Sequence, residues 1–154
     1  MQISKHLTLA ELTRSQTAKR NNIDNTPTDE HLENFKTLAE KVFEPIRAHF
    51  NTPIFISSGY RSKALNQFIK GSPSSQHCKG QAIDIDMDGG NGDVTNRMVF
   101  DFIKEKVDFD QLIWEFGTDF NPDWVHVSYA KGANRKQKLK AVRVNGKTSY
   151  QVIT

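Results

Sequence analysis

Apolar and polar residues alternate along Ala82-Ile83-Asp84-Ile85-Asp86. This period of two predicts a strand with Ile83 and Ile85 toward a core and Ala82, Asp84 and Asp86 on the other face. Trp124-Val125-His126-Val127-Ser128 repeats the pattern, with the two valines inward and His126 on the open side. Gln111–Phe116 predicts a further strand, and Pro53–Ser58 a short buried one ended by Gly59. Leu139–Val144 and Lys147–Val152 flank Asn145-Gly146, a dipeptide that favours a two-residue primed hairpin turn.

Three- and four-residue spacing takes over elsewhere. Leu32, Phe35, Leu38, Val42, Phe43 and Ile46 predict a helix from Thr28, its cap, to about Phe50. Pro45 lies inside that pattern and should kink the helix or end it early. His31 and His49 on this helix read as surface or boundary residues. Val94–Lys106 predicts a second helix with Met98, Val99, Phe102 and Ile103 on its buried side. Ser62 or its neighbour caps a shorter helix to about Lys70, and Thr8 with Glu11 marks a short helix or turn near the start. Asp88–Asp93 reads as a turn, because its acids lack the ordered spacing of a calcium loop. Helices first and then strands with helices between them predict an α+β fold: a mainly antiparallel sheet with helices packed on one side.

A length of 154 residues suits one domain with a real core. No apolar run reaches the length of a membrane span, and Met1–His6 has no signal-peptide core, so the expected place of synthesis is the cytoplasm. The net charge of +3 is uneven: residues 131–147 hold seven Lys or Arg and no acid, which leaves the rest net negative. A basic tail reads first as a solvated surface and second as a contact for a polyanion such as an acidic cell-wall polymer. Nucleic acid as the partner rests on this tail alone and is set aside. The single cysteine, Cys78, excludes an internal disulfide and a cysteine-built zinc site. Any metal must therefore be held by histidine and carboxylate.

Candidate ligands exist. If the strands of Asp84 and His126 are neighbours, His77, Asp84 and His126 can meet as a two-histidine, one-carboxylate set. Such a set suits zinc and leaves a position open for chemistry. Hydrolysis then needs a base. Asp123 precedes His126 by three residues, which on a straight strand sends the two side chains to opposite faces. It joins the site only if the backbone bends near Pro122. Glu115, at the end of the preceding strand, is the rival. Arg61 follows the strand that ends at Gly59 and could supply a cation to the site, or pair with a structural carboxylate.

Ser75-x-His77-x-x-Gly80-x-Ala82-x-Asp84 resembles the signature of the zinc D-alanyl-D-alanine carboxypeptidase and L-alanyl-D-glutamate endopeptidase family, whose fold is shared by the zinc domain of hedgehog signalling proteins. Ser58-Gly59-Tyr60-Arg61-Ser62 is similar to that family's arginine segment, and Asp123-Trp124-Val125-His126 to its acid-x-x-His segment. From Leu9 onward the chain looks like compact phage and prophage members. The resemblance implies one catalytic zinc on His77, Asp84 and His126, with Asp123 as general base. It implies Arg61 as a clamp for substrate or transition state, Ser75 as a nearby hydrogen-bonding group, and leaves Glu115 to orient substrate. It implies a monomeric zinc peptidase that acts on peptidoglycan stem peptides, foremost as an L-alanyl-D-glutamate endopeptidase. The alternatives are a D-alanyl-D-alanine carboxypeptidase and a non-hydrolytic zinc-binding module. A lytic enzyme of this kind reaches the wall by another route, such as a holin pore or a virion.

Overall fold

The computed structural model describes residues 1–90 and 92–154. Asn91, part of the turn expected over Asp88–Asp93, lies outside the described residues. A small antiparallel pair, β1 (Gln2–Ser4) and β2 (Leu7–Thr8), opens the chain. Helix α1 (Leu9–Thr13) follows, started by the expected capping box of Thr8 and Glu11. Ser15 caps α2 (Gln16–Arg20), which the apolar pattern did not announce.

The long helix begins at the Thr28 cap as α3 (Asp29–Leu38) and ends as α4 (Glu44–Phe50), with one π-helical stretch, Ala39–Phe43, between them. The helical run therefore continues past Pro45 to Phe50 instead of ending early, and the disturbance takes the form of the π-helical stretch just before it. Proline has no N–H to donate and its ring collides with the carbonyl four residues back. A locally widened turn removes that collision and places Pro45 in the first turn of α4. Phe35, Leu38, Val42, Phe43 and Ile46 are all buried, as the spacing required.

The central sheet contains β3 (Ile56–Ser58), β4 (Ala82–Ile85), β5 (Gln111–Glu115), β6 (Trp124–Ser128), β7 (Gln137–Val144) and β8 (Lys147–Val152). Their spatial order is β3-β4-β6-β5-β7-β8. The shorter helix capped by Ser62 is α5 (Lys63–Phe68). One face carries Ile83, Ile85, Leu112, Trp114, Val125 and Val127, which form one core with residues of α3, α4 and α6 (Asn96–Lys106). Val99, Phe100 and Ile103 take α6 into that core, whereas Met98 turns outward. Phe102 sits at the margin, stacked on His49 at 4.0 Å.

The expectation of a mainly antiparallel sheet is corrected: the sheet is mixed, because β5 and β7 run parallel. The reason lies in the order of strands. The chain leaves β6 at the end of the sheet where β5 begins, and β4 already occupies the far side of β6. A short crossing loop then delivers β7 to the free edge of β5 in the same direction as β5. Asp110, buried just before β5, fastens this crossing. Its carboxylate accepts from the Arg135 backbone amide at 2.8 Å, from Arg135 Nε at 3.0 Å and Nη2 at 2.9 Å, and from Gln76 Nε2 at 2.9 Å. The Asp110 carbonyl also accepts the Gln137 amide that starts β7. The β7–β8 hairpin closes on Asn145 and Gly146, both at positive φ, as the dipeptide predicted.

Candidate active site

The face of the sheet turned away from the core carries the chemistry. Strand alternation places Asp84, His126, Ile113 and Glu115 there, and pairing fixes their rows. Asp84 stands opposite His126, and His126 opposite Ile113. Glu115 stands opposite Trp124 on one side and Ala141 on the other.

His77 arrives from outside the sheet. A single 3₁₀ turn, Gln76–Lys79, carries it, with the Ser75 hydroxyl accepting the His77 amide at 3.3 Å. Gly80 ends this turn at φ +72°, where a Cβ would meet the His31 carbonyl oxygen at 2.2 Å, so only glycine fits there. The Arg61 amide donates to the His77 carbonyl at 3.2 Å and ties the arginine segment to the turn. Ser75 lines the cavity, but its observed bond is this cap.

The ligand geometry is specific. His77 Nδ1 lies 2.7 Å from the Gly59 carbonyl oxygen, which can only accept, so Nδ1 carries the proton. Nε2 of the neutral ring then presents a lone pair to Asp84 Oδ1 at 3.2 Å. Two acceptors facing each other in a buried site require a cation between them, either a proton or a metal. His126 Nδ1 approaches the same carboxylate oxygen at 3.0 Å. One ligand atom from each of the three residues falls within 4.8 Å of the others. Burial would raise the Asp84 carboxyl, but the charges and hydrogen bonds of His77 and His126 outweigh it and hold the group well below the usual carboxylate range. The set is buried, anionic and made of two imidazoles and a carboxylate, so it fits zinc.

Around the triad lies a cavity of about 780 Å³ lined by Arg61, Ser75, Glu115, Trp124 and Tyr150 with the three ligands. Ile113, Phe116 and Leu139 also line it, and they pack with the buried Ala141 in a small apolar cluster. Glu115 is 8% exposed. Burial and the nearby Asp84 charge push its carboxyl up to about 7, against the opposing pull of His126 and Arg61. Arg61 Nη1 reaches Asn66 Oδ1 at 3.4 Å, while its buried Nε has no partner among the described residues. A buried guanidinium N–H without an acceptor is costly, and a ligand carboxylate would satisfy it.

Asp123 lies elsewhere. It is exposed and does not line the cavity. Its backbone holds it: the amide donates to the Glu115 carbonyl at 2.9 Å, and its carbonyl accepts from Asn96 Nδ2 at 3.0 Å. It lies just before β6 begins at Trp124, outside the residues that line the cavity. Asp86 lies beyond the end of β4, where it accepts from Asn96 Nδ2 at 3.0 Å and the Asp88 amide at 3.0 Å. Cys78, next to a ligand, is half-buried and its thiol is pushed up by burial, so it stays protonated. Tyr150 was missed by sequence reasoning altogether. Its only signal was its place, opposite in parity to Ser149, in the hairpin after Asn145-Gly146.

The sequence model of the Peptidase M15 family matches residues 5–128, four-fifths of the chain and all three candidate ligands. The chain belongs to the Peptidase M15 family. This makes it a member of a family of zinc-dependent metallopeptidases, the family of the D-alanyl-D-alanine carboxypeptidases. No curated protein matches the chain. The M15 match stops at Ser128, the last residue of β6, so the β7–β8 hairpin that completes the cavity lies beyond it. Among the described residues, no helix is long and apolar enough to cross a membrane.

Proposed function

We propose that this M15 protein is a zinc peptidase that hydrolyses peptidoglycan stem peptides at an L-alanyl-D-glutamate bond. The observation that carries the reading is the placement of a buried carboxyl, Glu115, in one cavity with the His77–Asp84–His126 triad and the partnerless Nε of Arg61. His77 Nε2, an Asp84 oxygen and His126 Nδ1 would hold the ion. Bound zinc supplies Lewis acidity, which activates water and polarises a carbonyl near neutral pH.

The residues supply the rest. Glu115, rather than Asp123, is the general base in this proposal, since it faces the cavity and Asp123 does not. Its carboxylate takes a proton from the attacking water and passes it to the leaving amine. Arg61 holds the free α-carboxylate of the residue on the leaving side. A stem-peptide D-glutamate linked onward through its γ-carboxyl carries such a group, and so does a terminal D-alanine. The cavity is large enough for a short peptide. Ser75 keeps the His77 turn in shape and lies within the same cleft. Basic residues of 131–147 that are not drawn into ion pairs, such as Lys131 and Lys147, would favour contact with an acidic wall polymer.

Arg61 also suits a terminal carboxylate, which favours the D-alanyl-D-alanine carboxypeptidase as second reading. Mass analysis of peptidoglycan digested with the zinc-loaded protein separates these. Fragments that begin with D-glutamate support the endopeptidase. Loss of terminal D-alanine alone supports the carboxypeptidase. No new fragment from a zinc-stoichiometric sample defeats both and leaves a binding module. Release of intact stem peptides with a free L-alanine N-terminus means cleavage at the sugar and overturns the peptidase.

A further inference from the structure

β5 ends by breaking its own alternation. Leu112 and Trp114 lie in the main core, while Ile113 and Glu115 line the cavity on the other face. Alternation would send Phe116 to the core. Instead Phe116 stands at φ +55°, packs with Ile113, Leu139 and Ala141, and lines the cavity. A bulky side chain rarely adopts this left-handed backbone, which glycine and asparagine take more readily. Strain of this kind persists where the surrounding structure holds a side chain to a task.

The position indicates the task. Trp124 shares a face of β6 with His126, two residues away, so their backbones are about 7 Å apart. The Phe116 and Trp124 rings lie 5.5 Å apart, tilted by 57°. The exposed Arg143 places its guanidinium over the Phe116 ring at 4.7 Å. Both rings are half-buried, so this shelf opens to solvent. Arg61 lies diagonally across the metal ligands. Ser58 stands opposite Asp84, and the chain then runs toward the Ala82 end of antiparallel β4, whereas Trp124 and Glu115 stand beyond the Ile85 end. A peptide whose leaving side is held by Arg61 therefore carries its acyl side toward the shelf. For an L-alanyl-D-glutamate bond that side is short: one alanine, then the lactyl group of the sugar that bears the stem. Two units of this length span about 7 Å when extended, which brings the sugar ring to Trp124 and Phe116.

We propose that Phe116 and Trp124 form a subsite for the sugar ring that bears the stem peptide, so that the enzyme selects stem peptides joined to glycan over free ones. The inference rests on the L-alanyl-D-glutamate reading above. A pyranose has apolar C–H faces and a polar rim. Aromatic faces are electron-rich and attract the C–H faces, while the Arg143 guanidinium offers N–H donors to hydroxyl and acetamido oxygens.

The test uses a stem pentapeptide whose L-alanine nitrogen carries either N-acetylmuramic acid, through its lactyl group, or a plain acetyl group. The readout is the ratio of kcat/KM for the two substrates, in which a general loss of activity cancels. Zinc content and unfolding temperature are measured for each protein. Wild type is expected to prefer the sugar-bearing substrate about 10-fold or more. Phe116→Leu and Trp124→Leu keep apolar bulk without a flat ring, and each should lower the ratio about 2- to 10-fold, the size of one ring contact. Trp124→Phe should hold it within about two-fold of wild type. A wild-type ratio near one, with cleavage after L-alanine, overturns this inference alone. A high ratio unchanged in both leucine variants places sugar recognition elsewhere and overturns it too. Loss of D-alanine without a cut after L-alanine overturns it by moving the sugar four residues from the reacting bond. A wild type that cleaves neither substrate overturns the peptidase reading and this inference with it.

Discussion

His77 and Gly59 are joined by a 2.7 Å hydrogen bond that decides which nitrogen of the imidazole faces Asp84. The acceptor is a backbone carbonyl, so the orientation is built into the chain path between β3 and the arginine segment. Outer hydrogen bonds of this kind set the tautomer of a metal-binding histidine. The triad should therefore bind zinc without reorganisation. Asp84→Asn keeps the shape and removes the charge. It is expected to weaken zinc binding by more than the roughly 10- to 100-fold that the loss of an outer partner costs. Titration calorimetry with circular dichroism as the fold control checks this. Stoichiometric, tight zinc in a folded Asp84→Asn protein would remove the triad as the metal site.

Glu115 and Asp123 make opposite predictions. Glu115→Gln should lower kcat by about 10²- to 10⁴-fold with zinc retained, the usual range for losing a general base. Asp123→Asn should change kcat by no more than about three-fold, as expected of an exposed side chain outside the cavity. The reverse pattern would return the base to Asp123 and require the β6 entrance to bend in the substrate complex.

The pH dependence of the metal-free protein follows from Glu115. Its carboxyl is raised from an ordinary 4.5 to about 7, so the fold favours the protonated form. The stability this contributes is fully present below 4.5 and is lost as pH rises through about 7. Metal-free wild type should therefore lose stability between pH 5 and pH 8 relative to Glu115→Gln, which cannot ionise. Denaturant titrations at the two pH values read this directly. Parallel curves for the two proteins would mean that Glu115 ionises normally.

Asp110 has the opposite sign. Arg135 holds its carboxyl below the ordinary range, so its contribution is present at neutral pH and lost as pH falls through its lowered value. Asp110→Asn should cost about 1.5–3 kcal/mol at pH 7, the range for hydrogen bonds to a charged group, and the deficit should shrink in acid. Because the crossing loop that begins β7 hangs on Asp110, the variant should also show faster hydrogen exchange in residues 131–137. Unchanged exchange there would mean that the ladder alone holds β7.

Much of the site was legible because a strand's parity is legible. Asp84 and His126 needed only alternation to be placed on one face, and the glycine after His77 to turn it toward them. Parity also argued against Asp123, and the resemblance to the acid-x-x-His segment outweighed it. In the structure Asp123 is exposed and outside the cavity lining. Glu115 could be placed on the right face from the spacing of Gln111–Glu115, but its proximity to the ligands depends on β5 lying beside β6, a non-local fact. Tyr150 and the mixed sheet were illegible for the same reason: both follow from β7 crossing to the far edge of β5, which no local pattern encodes. The π-helical stretch was hidden too, since Pro45 announces a disturbance without saying how the backbone relieves it.

The opposition of Asp84 and His126 spans 42 positions of chain. Closing so long a loop carries an entropic cost before any contact rewards it. The half-sites at 77–84 and at 126 therefore have no metal affinity worth the name until β4 and β6 have zipped together, and the wall at Tyr150 arrives only when the last strand docks. A partly folded chain without that pairing lacks the assembled ligand set. Completion of the set thus coincides with closure of the middle of the sheet, where β4 and β6 meet.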